Sequence, residues 1–127
     1  MSDVTMREQA LKIFQELYGE VPEVQATVIA TLDGLPVIAD IKSGSFNSDK
    51  ISALVATAIS VAKRTGQAMG LGDLVELSMA TTNGKIFLYL IGNSAVLAVI
   101  TPKDISLGML MLKTSEITKK LTDILEV

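Results

Sequence analysis

The sequence contains no histidine, no cysteine and no tryptophan, and only 4% of its 127 residues are aromatic. The absence of histidine excludes a Ser-His-Asp triad, imidazole acid–base catalysis near neutral pH and the commonest ligand of protein-bound metals. The absence of cysteine excludes thiol catalysis, disulfide bonds and thiolate-ligated zinc. Most of the common enzyme classes are thereby removed, and a binding function is favoured.

The balance of charge argues against nucleic-acid binding. Lysine and arginine number 11 and aspartate and glutamate 14, which gives a net charge of −3, whereas nucleic-acid-binding domains carry a basic surface. The longest uncharged run, Ile86–Pro102, is interrupted by Gly92-Asn93-Ser94, and a membrane-spanning helix needs about 20 unbroken apolar residues. The N-terminal residues lack the apolar core of a secretory signal. We therefore expect a cytoplasmic protein that does not insert into membranes.

The hydrophobic periodicity predicts three helices and five strands in a single domain of residues 1–127. Helical spacing predicts helices over residues 3–18, ended by Gly19, over residues 48–69, and from Leu107 onward. Alternation predicts strands over residues 24–31, 35–41, 73–82, 85–91 and 95–100, and Asp33-Gly34 and Asn83-Gly84 are typical of two-residue hairpin turns. The last two strands are apolar on both faces and should be central, whereas Pro36 places its strand at an edge. The expected fold is of the α+β class, in the order αββαβββα, with a five-stranded antiparallel sheet between helices.

No group of residues has the composition of a catalytic, cofactor or metal site. Gly66, Gly70 and Gly72 follow a predicted helix, whereas a phosphate-binding loop lies between a strand and the start of a helix. Of the carboxylates near the predicted sheet edges, Asp33 is accounted for by its turn and Asp73 by its position at the start of a strand. We predict a protein that is not an enzyme and needs no cofactor. The methionines are expected to fill the core, including Met69, Met79, Met109 and Met111.

The second predicted helix is unusual because no residue from Ile51 to Ala62 is charged. An amphipathic surface helix has a charged face, so a helix that is uncharged all round over about 18 Å is expected to be buried on both sides. Its predicted core stripe consists of Ile51, Leu54, Val55, Ala58, Ile59 and Ala62. The other side carries small residues that let another helix approach closely, namely Ala53, Ala56, Thr57 and Ser60. The sequence therefore predicts a second subunit packed against this helix.

Three segments together resemble the roadblock/dynein light chain 7 superfamily. They are ATVIATLDGLPVIADI (residues 26–41), AKRTGQAMGLGDL (62–74) and TTNGKIFLYLIGNSAVLAVIT (81–101). Three features match the family pattern in order and spacing. They are DGLP at Asp33–Pro36, the glycines between Lys63 and Gly72, and Leu107-Gly108 at the start of the last helix. The similarity extends from about Leu11 to Leu121, which is nearly the whole chain.

The resemblance implies an αββαβββα fold and a dimer in which the third strand and second helix of each chain meet. Many members of the superfamily regulate or scaffold Ras-like small GTPases, and others are dynein light chains or membrane-signalling scaffolds. We therefore expect a homodimeric regulator or binding platform for a Ras-like small GTPase; the alternative is a dimeric scaffold with no dependence on nucleotide state. The expected dimer interface contains Ala53, Ala56, Thr57, Ser60, Glu76 and Ser78. The expected partner-binding residues are Lys63, Arg64 and Gln67.

Overall fold

A computed structural model describes the backbone of residues 3–125 and the side chains of residues 5–125. In chain order its elements are α1 (Asp3–Glu20), β1 (Ala26–Thr31), β2 (Pro36–Ile41), α2 (Ser48–Ala68), β3 (Glu76–Ala80), β4 (Lys85–Ile91), β5 (Ala95–Thr101) and α3 (Leu107–Leu125). This order and the antiparallel pairing of the strands confirm the predicted α+β fold.

The five strands form one sheet in the order β2-β1-β5-β4-β3, with helices on both faces. β5 is central and every one of its residues is buried, as its apolar sequence predicts. α1 and α3 cover one face, where Phe14 and Leu97 lie in their shared core. α2 covers the other face, where Ile59 and Val96 lie in a second core. The helices therefore form separate layers on either side of the sheet.

The two outer strands differ in how they are protected against further pairing. β2 begins with Pro36, which has no N–H to donate, and its register with β1 shifts between Ile29 and Ala30. β3 pairs with β4 from Glu76 to Ala80 without a shift, contains no proline, and carries its single charge on its first residue. Natural sheets block their edges with proline, bulges or central charges. The β2 edge is therefore blocked, whereas the β3 edge is open to another strand.

The first hairpin turn differs from the predicted two-residue turn. The Thr31 N–H donates to the Leu35 carbonyl at 2.9 Å, and the Gly34 N–H donates to the Thr31 carbonyl at 3.0 Å. The loop therefore spans three residues, 32–34. Gly34 has a φ of +94°, the left-handed conformation that such a loop needs at its last residue.

The second hairpin turn lies one residue earlier than predicted. The Thr81 N–H donates to the Gly84 carbonyl at 2.8 Å, so the turn residues are Thr82 and Asn83. Gly84 pairs with Thr81 next to the turn and is not itself a turn residue. A glycine is needed at this position for another reason. A Cβ at this position would lie only 2.8 Å from the Thr101 carbonyl oxygen, so any side chain would push the neighbouring strand away.

Most elements begin or end one to three residues from the predicted positions, and two of these differences have a clear physical cause. α1 continues through Gly19 to Glu20, because the Val21 N–H still donates to the Leu17 carbonyl at 2.8 Å. Pro22, which has no N–H, then prevents further helix. β3 ends at Ala80 rather than at Thr82 because the turn begins at Thr81, and it begins at Glu76 rather than at Asp73.

A polar cluster connects α1 to the β1–β2 edge of the sheet. The Tyr18 hydroxyl lies 2.9 Å from Asp40 Oδ2 and 3.0 Å from Thr27 Oγ1. Because a carboxylate can only accept, Tyr18 donates to Asp40 and accepts from Thr27. Burial raises the pKa of Tyr18 above its usual value, the Thr27 hydroxyl opposes this rise, and Asp40 adds to it. The Lys42 ammonium lies 4.2 Å from the centre of the tyrosine ring, within range of a cation–π contact.

Candidate interaction surface

α2 begins where the sequence predicts, but it is rotated relative to the predicted core stripe. The Lys50 N–H donates to the Asn47 side chain at 3.0 Å, which caps the helix. Leu54, predicted to be in the core, is 60% exposed, whereas Ala56, predicted to face outward, is 8% exposed. The buried residues of the helix are Ser52, Val55, Ala56 and Ile59.

The rotation has a physical cause in the β1–β2 turn, which lies against α2. A Cβ at Gly34 would stand 3.3 Å from Ala53 Cα and 3.7 Å from Ala56 Cβ. Larger residues at these helix positions would push the turn away. The small side chains of Ala53 and Ala56 therefore leave room for the β1–β2 turn of the same chain. The sequence pattern alone did not distinguish this contact from a contact with a second chain.

The exposed part of α2 forms a continuous uncharged surface, which we call the α2 surface and which consists of Ala53, Leu54, Thr57, Ser60 and Val61. Val61 is 50% exposed and was not singled out by the sequence reasoning. The seven-residue spacing of Leu54 and Val61 places them two turns apart on one side of the helix, and this spacing is the signal that identifies them. Thr57 adds little polarity, because its hydroxyl donates to the Ala53 carbonyl.

The three predicted partner-binding residues lie together on the C-terminal half of α2. Lys63, Arg64 and Gln67 line a recess of about 300 Å³ that also includes Ser60. Lys63 and Gln67 border a second recess, of about 380 Å³, which reaches Val75 just before β3. Neither cation forms an ion pair with any residue in the described part of the chain. Both charges are therefore available to a partner.

The two predicted interface residues of β3 lie at the open edge of the sheet. Glu76 and Ser78 are exposed, and both line a groove between β3 and α3 that also contains Met111. On the opposite face of the sheet, Leu77 and Leu88 form a cross-strand pair in the core under α2. Both faces of the open edge thus carry apolar side chains.

The expectation that the methionines fill the core is wrong for four of them. Met69, Met79, Met109 and Met111 are all exposed. They lie at the C-terminus of α2, on the edge strand β3 and in the first half of α3. No other element of the described chain covers these places, so the exposed methionines mark surface that is free to meet another molecule.

The titratable groups do not converge on a reactive centre. Burial raises the pKa of Tyr89. The pKa of Lys113 is raised because its ammonium group donates a hydrogen bond to Glu116. Among residues 3–125, no cluster of aspartate and glutamate is arranged to hold a metal ion. Across the same residues, no helix combines the length and the apolar character that crossing a membrane requires.

The fold is shared with several solved structures. Gliding protein MglB from Thermus thermophilus is 16% identical, with a TM-score of 0.86 over 95% of this chain and 91% of that chain. The Roadblock/LC7 domain from Streptomyces avermitilis is 20% identical, with a TM-score of 0.82 over 91% of this chain and 97% of that chain. Profilin IB from Acanthamoeba castellanii is 15% identical, with a TM-score of 0.62 over 91% and 97% of the two chains.

No curated protein sequence matches the chain significantly. The sequence pattern of the Roadblock/LC7 domain, in contrast, matches residues 11–101. This stretch runs from the middle of α1 to the end of β5 and includes the α2 surface and the β3 edge. The chain belongs to the Roadblock/LC7 domain family.

Proposed function

We propose that the chain forms a homodimer through α2 and β3, and that this dimer is a regulator of, or binding platform for, a Ras-like small GTPase. One observation carries the proposal: an open sheet edge lies next to an uncharged helix surface and two cations without ion-pair partners among the described residues. The function is one of binding, with the site built from two copies of the chain.

The open edge of β3 supports self-association. An unprotected edge strand offers unpaired N–H and C=O groups to another strand. A symmetric dimer uses the same surface of both copies, and β3 of one copy can pair with β3 of the other in the antiparallel sense. Such pairing extends two sheets into one and satisfies the backbone groups of both edges.

The α2 surface supports the same mode of association. Leu54 and Val61 expose much of their side chains, and the segment between them contains no charge. Burying such apolar surface is worth roughly 25 cal/mol per Å² removed from water. The proposed interface therefore contains Ala53, Thr57 and Ser60 as first expected, together with Leu54 and Val61, with Ala56 contributing mainly to its own chain.

Family membership supports the GTPase partner, because many proteins of this superfamily regulate or scaffold Ras-like GTPases. Lys63 and Arg64 place two positive charges on a chain of net charge −3, where they can attract an acidic switch region of the partner. A dimer that binds one switch-loop conformation more tightly than the other shifts the population of the two by that difference in affinity. Regulation of this kind needs no catalytic residue from the dimer.

Sedimentation equilibrium tests the dimer. We expect a mass of about twice 13.5 kDa at micromolar concentration. Val61→Glu should yield a folded monomer, because the residue is exposed in one copy but would place an unpaired charge in the interface. Leu112→Glu is the matched control, since Leu112 is also an exposed apolar residue but lies on α3, on the opposite face of the sheet. A monomeric parent protein, or a Val61→Glu variant that stays dimeric, would contradict the proposed interface.

The GTPase partner is tested with Ras-like GTPases encoded by the same genome, each loaded with GDP or with a non-hydrolysable GTP analogue. We expect the dimer to bind one of them at least about tenfold more tightly in one nucleotide state, which corresponds to roughly 1.4 kcal/mol. The Val61→Glu monomer should lose this binding. Equal affinity for both states would instead favour the alternative, a dimeric scaffold whose binding does not depend on nucleotide.

A further inference from the structure

We infer that the Asn83-Gly84 turn is a site at which the chain modifies itself by deamidation, and that the isoaspartate product loosens the C-terminal end of β3. The inference goes beyond the proposed function and does not depend on it, because the reaction takes place between two neighbouring residues of one chain.

The reaction joins the backbone of one residue to the side chain of the residue before it. The Gly84 nitrogen, after losing its proton to hydroxide, attacks Cγ of Asn83. The new N–C bond closes a five-membered succinimide ring, and the bond from Cγ to the side-chain nitrogen breaks, so that ammonia leaves with a proton from water. Water then opens the ring at one of its two carbonyls. The products are aspartate and isoaspartate, and in isoaspartate the backbone runs through Cβ and is one atom longer.

The nitrogen that attacks is not held by a hydrogen bond. The Thr81 N–H donates to the Gly84 carbonyl, but the Gly84 N–H donates to no acceptor in the described part of the chain. The turn is therefore of the open kind, which lacks the bond from its fourth residue back to its first. Glycine also has no Cβ to hinder the approach of its nitrogen to another group.

The carbon that is attacked is accessible as well. Asn83 is exposed, and its side-chain amide forms no hydrogen bond with any described residue. The chain's other two asparagines, Asn47 and Asn93, are both followed by serine, and the Asn47 side chain accepts a hydrogen bond as the cap of α2. Asn83 therefore combines a free amide with a following glycine, which neither of the others does.

The first hairpin turn shows how the same pattern of residues is protected. Asp33-Gly34 also places a short polar side chain before a glycine, but the Gly34 N–H donates to the Thr31 carbonyl at 3.0 Å. This bond has to break before the Gly34 nitrogen can attack its neighbour. The two turns thus differ in whether the glycine nitrogen is free, and this difference allows the role of the free N–H to be tested.

The product affects β3 because Gly84 is packed on two sides. Its carbonyl accepts from the Thr81 N–H and from the Thr81 hydroxyl, each at 2.8 Å. On the other side, a Cβ at Gly84 would lie 2.8 Å from the Thr101 carbonyl oxygen, so there is little room to move towards β5. The additional backbone atom of isoaspartate is then accommodated by separating Gly84 from Thr81. This releases the end of β3, which is the edge strand proposed above for self-association.

The first test compares two sites in one protein. Asp33→Asn gives the first turn the same asparagine–glycine sequence, and asparagine suits a turn as well as aspartate does. The full-length variant is aged in mildly alkaline buffer, and peptide mass spectrometry follows the gain of one mass unit at each site. We expect position 83 to react at least about tenfold faster than position 33, and we expect the two rates to become similar in urea, where both turns are unfolded. Equal rates in the folded protein, or reaction at position 83 only after unfolding, would overturn the inference.

The second test concerns the effect of the product. The isoaspartate form of the parent protein is separated by ion exchange and identified with an isoaspartate-specific methyltransferase. We expect the Thr81 amide proton, which is bonded to Gly84 in the unmodified chain, to exchange with solvent several-fold faster in this form. Asn83→Asp is the matched control, because it adds the same charge with a backbone of ordinary length and should exchange as the parent does.

Unchanged exchange in the isoaspartate form, or equal acceleration in Asn83→Asp, would show that the longer backbone does not loosen β3. Both tests are read within single chains. Their failure therefore leaves the proposed dimer intact, and sedimentation tests that dimer separately.

Discussion

At the scale of single residues, the chain's two tyrosines make a matched pair. Both are largely buried, but only the Tyr18 hydroxyl has partners, donating to Asp40 and accepting from Thr27. The Tyr89 hydroxyl has none among the described residues. The same substitution to phenylalanine therefore removes a satisfied hydroxyl in one case and an unsatisfied one in the other.

Tyr18→Phe should lower the free energy of unfolding by about 1–3 kcal/mol, because it leaves the fully buried Thr27 hydroxyl without a partner. Tyr89→Phe, as the control, should be neutral or stabilising. Adding Thr27→Val to Tyr18→Phe should recover part of the loss, since an apolar group of the same shape replaces the unpaired hydroxyl. Urea unfolding monitored by circular dichroism measures all three; equal losses for the two tyrosines would contradict the assigned hydrogen bonds.

Residue-scale reasoning from sequence succeeded where a single local rule decides. Pro36 lies on an edge strand as predicted, since proline cannot donate within a sheet. It failed for Ala56, whose small size admits the turn at Gly34. The contact between Gly34 and Ala56 joins positions far apart in sequence. A small residue gives the same sequence pattern whether it packs against its own chain or against another chain.

At the scale of elements, the types of the helices and strands and their order along the chain followed from hydrophobic periodicity and turn residues, whereas the rotation of α2 did not. A helix normally reveals its inward side by the charges on the opposite side. Between Ile51 and Ala62 there is no charge, so neither side is marked as the one facing water. Leu54 was therefore assigned to the core although the structure exposes it.

The edge strand β3 allows the register of the proposed dimer to be predicted. Pairing is longest when the five residues from Glu76 to Ala80 overlap completely, which places Ser78 opposite Ser78 of the other copy. Ser78→Lys alone and Ser78→Asp alone should each weaken the homodimer several-fold, because like charges lie directly opposite across the pair.

An equimolar mixture of Ser78→Lys and Ser78→Asp should form a heterodimer that is tighter than either homodimer. Native mass spectrometry distinguishes the three species directly. Ala80→Lys and Ala80→Asp are the controls, because in this register residue 80 lies opposite Glu76 of the other copy rather than opposite itself. Ala80→Lys should strengthen and Ala80→Asp should weaken the homodimer, and their mixture should contain the dimers in statistical proportions. A statistical mixture of dimers for the Ser78 pair would show that the strands pair in another register or not at all.

At the scale of the whole molecule, the sequence predicted the layers of the fold because hydrophobic burial is spread over many residues and tolerates local errors. The candidate surfaces depend on fewer residues and on what the fold leaves uncovered. The groove beside β3 exists because α3 extends over β4 but not over the last strand. No periodicity in α3 or β3 alone reports this, and Met111, which was expected in the core, is exposed beside the groove.

The distribution of charge over the molecule leads to a prediction about binding rates. The chain has a net charge of −3, yet Lys63 and Arg64 lie together beside the α2 surface. Cations at the rim of an interface mainly steer the encounter, and their effect weakens as salt is added. If Arg64 steers the GTPase, its contribution belongs to association and not to the chemistry of GTP hydrolysis.

Arg64→Ala should therefore slow association with the GTPase and reduce the dependence of the association rate on salt, while dissociation changes little. Arg7→Ala is the matched control: it removes the same charge from an exposed position on α1, on the other face of the sheet. Stopped-flow association at two salt concentrations and single-turnover GTP hydrolysis measure both effects. A loss of hydrolysis of about 1,000-fold at unchanged affinity is typical of an inserted arginine finger, and it would assign Arg64 to the catalytic step instead of to steering.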